Sequence, residues 1–258
     1  MRRPDLTLHA LHVSLFACAL AYAEAGWAVA LAATGLYFAC FLVAHDAMHR
    51  SLGLRPLAND LVLAIGGALV GVAGHGARTL HLYHHARPFE EGDDEGRCGH
   101  GPLLRSALLG PLHYARSPFV AWRKAPRRRR WLAAEGALVV ALAAAGSASP
   151  KGRVVVAVVV ALNSTIGLWG VRLPHGPNRR LVRVVERLAW LRWPVLLGVA
   201  THAAHHAAPA LPAFAVCASW RRALGGEAPQ ARTSSNSGVL SKTARAKEQT
   251  GFTFNPCA

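Results

Sequence analysis

Apolar residues in this chain are gathered into blocks, and the charged residues lie between the blocks. The clearest block runs from Trp27 to Ala44 without a charge, close to the length a helix needs to cross the hydrocarbon core of a bilayer. Ahead of it, Leu11 to Ala25 is apolar apart from His12 and Glu24, and together with Leu6 to Ala10 it predicts a first crossing. Trp131 to Ala148, with Glu135 near its start, predicts a third, and Ser149-Pro150-Lys151-Gly152 breaks it. Val154 to Leu173 predicts a fourth. Its valine run would suit a strand in water, but a lone strand leaves its backbone unsatisfied in lipid, so the block reads as helix. Leu61 to Ala73 is glycine-rich and too short for a crossing, which predicts a re-entrant or interfacial segment. Trp190 to Ala200 is a further short apolar stretch, and residues 75–130 form a polar, basic connection. Residues 225–258 are polar and lack periodicity, and read as a disordered tail on a membrane domain of residues 1–224. Two apolar blocks follow the basic start in close succession and read as retained spans rather than a cleaved leader.

The expected fold is therefore an all-α, multi-pass membrane protein of about four transmembrane helices with re-entrant or interfacial helices. Composition agrees. The chain is 52% hydrophobic and only 16% charged, where a soluble domain carries about 25% charged residues. The net charge of +16 does not point to nucleic acid, because the basic residues cluster in the connections, as Arg123-Lys124, Arg127 to Arg130 and Arg179-Arg180. That is the pattern of cytoplasmic loops, and it suits anionic headgroups as well. With Arg2 and Arg3 in the cytoplasm, two crossings return the chain there at His45 and two more at His175. Most Lys and Arg then fall inside. Five scattered cysteines offer neither a disulfide framework nor a zinc ribbon.

Three histidine groups carry the chemistry: His45-Asp-Ala-Met-His49, His81-Leu-Tyr-His84-His85 and His202-Ala-Ala-His205-His206. On a helix, residues three and four apart share a face, so each group points its imidazoles the same way. Imidazole is the commonest metal ligand among side chains, and the predicted topology brings all three groups to the cytoplasmic side, as a histidine-rich cap. His175, closing the fourth block in Leu173-Pro174-His175, is the ninth candidate ligand. Asp46 is placed to hydrogen-bond an imidazole N–H from behind. His75, His100 and His113 stand alone in loop-like sequence. His9 and His12 read as interfacial residues, Glu90 to Glu95 as a solvated loop, and Asn163 and Ser164 as packing groups. Nine histidines overshoot one structural zinc, and magnesium or calcium would want oxygen ligands. Imidazole suits iron, copper, zinc and nickel alike. Two metals with all-histidine ligation fit a non-haem di-iron centre best.

The order H-D-A-M-H, H-x2-H-H, L-P-H and H-x2-H-H-x2-P-x2-P, from about Gly35 to Pro212, resembles the integral-membrane fatty acid desaturase superfamily. The resemblance implies a helical membrane scaffold, a cytosolic di-iron site and two iron ions held by histidine. It further implies O2 as co-substrate, a lipid substrate, and electrons from a separate donor such as ferredoxin or cytochrome b5. Fatty-acyl desaturation is the activity expected. His45-Asp46-Ala47-Met48-His49 and Trp169 to His175 also resemble the carotenoid ketolase branch, and alanines follow the last group where bulky aromatics are usual. A carotenoid ketolase or hydroxylase is therefore the alternative within the superfamily, and a non-enzymatic membrane metal-binding protein the alternative outside it. A haem bundle would need histidines facing one another within the spans, and the spans are nearly free of them.

Overall fold

The computed structural model describes residues 4–175 and, beyond them, 184–185, 187–188, 191, 193, 196, 202–207, 209–212 and 214. The expected short block Trp190 to Ala200 lies largely outside these residues, and the expected tail 225–258 lies wholly outside them. Among the described residues every regular element is a helix. In chain order they are α1 (Pro4–Tyr22), α2 (Gly26–Met48), α3 (Pro56–Leu69), α4 (Gly74–Ala86), α5 (Asp94–Gly99), α6 (Leu103–Lys124), α7 (Arg129–Ser147) and α8 (Pro150–Ser164). A π-helical segment Gly167–Arg172 leads into the short α9 (Leu173–His175), and α10 (His202–Ala207) lies further along the chain.

Two helices are long and apolar enough to cross a membrane, Gly26–Met48 and Pro126–Ser147, and each of two bent pairs could add one more. The apolar part of α1, Leu6–Tyr22, is shorter. The glycine-rich block Leu61 to Ala73 belongs to one bent pair: α3 and α4 meet at 98°. A side chain at Gly74 would strike the Leu63 carbonyl, so the sharp corner depends on the missing Cβ. The valine-rich block is helical, as lipid demands of it, but it does not run straight. A break of 45° separates α8 from the π-helical segment and α9.

α2 is the central post. It packs against α1, α3, α4 and α8 and buries Tyr37, Phe38, Cys40, Leu42, Ala44, Asp46 and Ala47 along its length. Trp169 of the π-helical segment wedges against Phe38 and Phe41, with ring centroids 5.0 and 5.1 Å apart, and donates its indole N–H to the Leu162 carbonyl at 2.8 Å. That wedge fixes the segment leading to His175. π-Helical turns often mark functional sites, because the extra residue re-aims the side chains beyond it. Asn163, expected to pack, does so: its amide donates to the carbonyls of Val70 and Val159 and accepts from Tyr37 Oη. Where α2 ends, Asn59 of α3 donates to the Ala47 carbonyl at 2.8 Å, beside the Arg50 N–H that bonds the same helix-end acceptor.

The polar stretch 75–130 is mostly helix rather than loop. Its longest element, α6, contains Pro111 and Pro118, residues that ordinarily end helices because they lack an N–H and crowd the preceding turn. Those prolines hid the helix from a pattern reading.

Candidate metal centre

Each histidine group reaches the site on a different support. His45 lies in the last turn of α2 and His49 caps that helix. His81, His84 and His85 ride on the second half of α4. His175 closes α9, and His202, His205 and His206 lie on α10. α10 stops at Ala207, just before Pro209, where proline is expected to end it.

The side chains converge into two sets. His45, His49, His81 and His205 form one, and His84, His175, His202 and His206 form the other; within each set one ligating atom per residue lies within 4.8 Å of all the rest. His85 stands at the seam. Its ring stacks on His206 at 4.0 Å and lies 4.7 Å from that of His49, while its Nε2 is 3.1 Å from Nε2 of His81. All nine expected ligands are thus brought together.

The protonation pattern tests whether this arrangement fits a cation. His84 directs Nδ1 at Asp93 Oδ2, 2.8 Å away, and His81 directs Nδ1 at Glu95 Oε1, also 2.8 Å. Each carboxylate is placed to accept an Nδ1–H from its ring, and a neutral imidazole in that tautomer turns its Nε2 lone pair inward. Inside, Nε2 atoms face Nε2 atoms: His84 and His175 at 3.3 Å, His206 and His202 at 3.1 Å, His205 and His49 at 3.0 Å. In a neutral facing pair only one nitrogen can donate. Converging lone pairs repel unless a cation lies between them, and nitrogens about 2 Å from a shared metal stand about 3 Å apart. The donor set therefore fits metal ions.

Electrostatics point the same way for most of the rings; at His84 burial is outweighed by Asp93 and Glu95, which raise it above the ordinary value. Burial, reinforced by the neighbouring imidazoles His45 and His85, pushes His49 down to about 3. Burial and adjacent histidines also hold His202, His205 and His206 well below the ordinary value. Neutral imidazole is the ligating form. Burial opposes ionisation of Asp93, but hydrogen bonds from His84 and from the Gly96 and Phe89 N–H groups outweigh it and keep its carboxyl below the usual range.

Three sequence expectations need correction. The acidic run Glu90 to Glu95 is not simply a solvated loop: Asp93 is fully buried behind His84, and Glu95 holds His81. A side chain at Gly96 would collide with the Asp93 carboxylate and come within 3.0 Å of His84 Nδ1, so this bond requires glycine there. His9 is not an interfacial residue. It is buried and its Nε2 lies 2.9 Å from Asp46 Oδ2; the opposite carboxylate oxygen is 3.7 Å from His45 Nδ1. Asp46 therefore lies close to His45 but pairs at hydrogen-bond distance with His9 on α1, a partner that spacing did not reveal. His75 is likewise neither lone nor in a loop: on α4 it is buried against Glu135 of α7, which accepts from its backbone N–H at 3.0 Å and pairs with its Nδ1. That contact ties the helix carrying the second histidine group to a candidate membrane span. His100 and His113 lie outside both histidine sets.

Comparison with known protein families adds an independent observation: the model of the fatty acid desaturase family matches residues 24–234. The chain belongs to the fatty acid desaturase family. The match covers the three histidine groups and leaves α1, with His9, outside it. No match was found among curated proteins or among solved structures. Membership supports a membrane-associated oxidoreductase that modifies lipid, and the family is one of di-iron centres.

Proposed function

We propose that this protein is a di-iron fatty-acyl desaturase, with the histidine centre on the cytoplasmic face of a multi-pass membrane domain. The observation that carries the reading is the pair of four-histidine sets, with His84 and His81 held from behind by Asp93 and Glu95. In this reading one iron is held by His45, His49, His81 and His205, the other by His84, His175, His202 and His206, with His85 between. Bound iron supplies the capacity to activate O2 and to take hydrogen from an unactivated C–H bond. The overall reaction balances as one –CH2–CH2– unit, O2, two electrons and two protons going to –CH=CH– and two waters. The electrons come from a separate donor.

The chain's own residues position and insulate the centre. Asp93 and Glu95 hold the tautomer and ring planes of His84 and His81. Asp46, hydrogen-bonded to His9, places a carboxylate 3.7 Å from His45 Nδ1 behind the first group. Support for the cytoplasmic orientation comes from the concentration of Lys and Arg in the connections, including Arg127 to Arg130. The alternative substrate is a carotenoid, favoured by His45-Asp46-Ala47-Met48-His49 and Trp169 to His175.

Metal analysis of the purified chain, combined with lipid and pigment profiling of cells expressing it or the His84→Ala variant, tests the proposal. Close to two irons per chain and new acyl double bonds that vanish in the variant are expected. One zinc and no iron would reject the centre. Oxygenated pigment with unchanged acyl chains would move the substrate to the carotenoid branch.

A further inference from the structure

α6 has a surface that the metal centre does not use. Leu104, Leu108, Pro111, Leu112, Phe119 and Trp122 are all exposed, and on a helical projection they fall in a sector of about 100°. Leu104, Leu108 and Phe119 are 70%, 67% and 71% exposed. The opposite side of the helix is covered by the rest of the protein through Ser106, Gly110 and Ala121. Along one edge of the apolar stripe run Arg105, Arg116 and Arg123, all exposed. Just beyond that edge, between α5 and α6, lies a cavity of about 130 Å³. Its lining includes Arg97, Arg105 and Arg116 beside Leu109 and Leu112. The single carboxylate in its wall, Asp94, is 3.5 Å from Lys124 Nζ. None of the three arginines forms an ion pair among the described residues.

An exposed apolar stripe flanked by unpaired arginines is the surface that lies in the plane of a bilayer, with its apolar side among acyl chains and its cations among headgroups. We infer that α6 is an in-plane membrane anchor whose apolar stripe enters the lipid, and that the Arg97–Arg105–Arg116 cavity takes the phosphate of an anionic phospholipid. Two features select a bilayer over other occupants. The stripe sits directly before α7, a helix apolar enough to span, so the same lipid surface covers both. The cationic groups follow one long edge of the stripe and continue past its end as Arg127 to Arg130, matching a planar anionic surface. A headgroup held there lies beside α5, whose Glu95 holds His81. The inference rests on the membrane association of the family and is independent of iron.

The full chain, reconstituted in nanodiscs containing an equal mixture of phosphatidylglycerol and phosphatidylcholine, provides the test. After stripping of loosely held lipid, the wild type should retain phosphatidylglycerol preferentially, by about fivefold for each arginine engaged. The Arg97→Gln/Arg105→Gln/Arg116→Gln variant should fall to near parity while keeping its metal content. Retained preference in the variant overturns the inference. Equal displacement of the lipid by millimolar inorganic phosphate overturns it too, since the cavity would then be a soluble-anion site. Absence of any lipid preference, with an acidic soluble protein binding the wild type but not the variant, would give the face to a protein partner. Hydroxyl-radical labelling in the same nanodiscs reports the stripe: Leu108 and Phe119 should be shielded to the level of Val140 on α7. Labelling several times faster than Val140 would reject insertion.

Discussion

The second and third histidine groups share one pattern, H-x2-H-H, and use it in opposite senses. On α4, His81 joins the set with His45 and His49 while His84 joins the set with His175; on α10, His202 and His206 join the His175 set and His205 crosses to the other. In each, the residue at i+3 goes to the other set from the residue at i: three steps of about 100° leave the two on one broad face but about 60° apart. One three-histidine segment therefore serves two sites rather than one. The support differs as well. The α4 imidazoles are backed by Asp93 and Glu95, whereas no carboxylate contacts those of α10 among the described residues. Identical spacing thus gives one group a polar backing and leaves the other held by neighbouring rings.

The largest expected effect comes from removing one ligand of each kind. His84→Ala and His205→Ala should each lose activity to background and lower iron from about two per chain to about one, and the double variant should hold none. Elemental analysis of the three purified proteins checks this. Loss of the same iron in both single variants would break the division into two sets.

Next in size is Asp93→Asn. An amide no longer fixes the Nδ1 proton of His84, and loss of such a partner typically costs 10–100-fold in metal affinity or activity. Iron retention against a chelator series measures it. The effect should be confined to the α4 side, so the variant separates a backed group from an unbacked one.

A pH series of the metal-free protein sharpens the same contrast. His49, His202, His205 and His206 have folded values below the ordinary one, chiefly through burial. Below about pH 6.5 the unfolded chain therefore binds more protons than the folded chain, and stability falls as pH drops. Melting temperature should decline between neutral pH and pH 5 in the metal-free protein and decline less with metal bound. A flat profile would show that these rings are not buried neutral.

The smallest effect is expected for His9→Phe. It removes the α1 partner of Asp46 but keeps the ring contact with Phe214, 4.8 Å away. Activity should fall only a few-fold, as measured by product formation at saturating donor. A loss as large as that of Asp93→Asn would place α1 on equal terms with α5 in shaping the centre.

Much of the fold was legible because hydrophobic blocks in lipid have few options: a segment that cannot find water for its backbone must be helical. Trp27 to Ala44, Trp131 to Ala148 and the valine-rich block all obeyed. The shortness and the glycines of Leu61 to Ala73 pointed to a re-entrant or interfacial segment, and the block lies in the bent pair of α3 and α4. α6 was not legible, since Pro111 and Pro118 argued against a helix and its stripe was diluted by arginines.

By itself the sequence pointed to which imidazoles gather, and the structure brings those nine rings together. Imidazole chemistry is local, and spacing along a helix fixes which rings share a face. What only the tertiary structure decided was how those rings divide into two sets, and which carboxylates stand behind them. Asp93 and Glu95 look like any other acids in a charged run. Their roles come from a fold-back of about ten residues that buries one against His84 and brings the other to His81. His9 reaches Asp46 across 37 positions, a meeting that depends on α1 lying against α2. Pairings of that kind are set by packing, and no one-dimensional pattern encodes them.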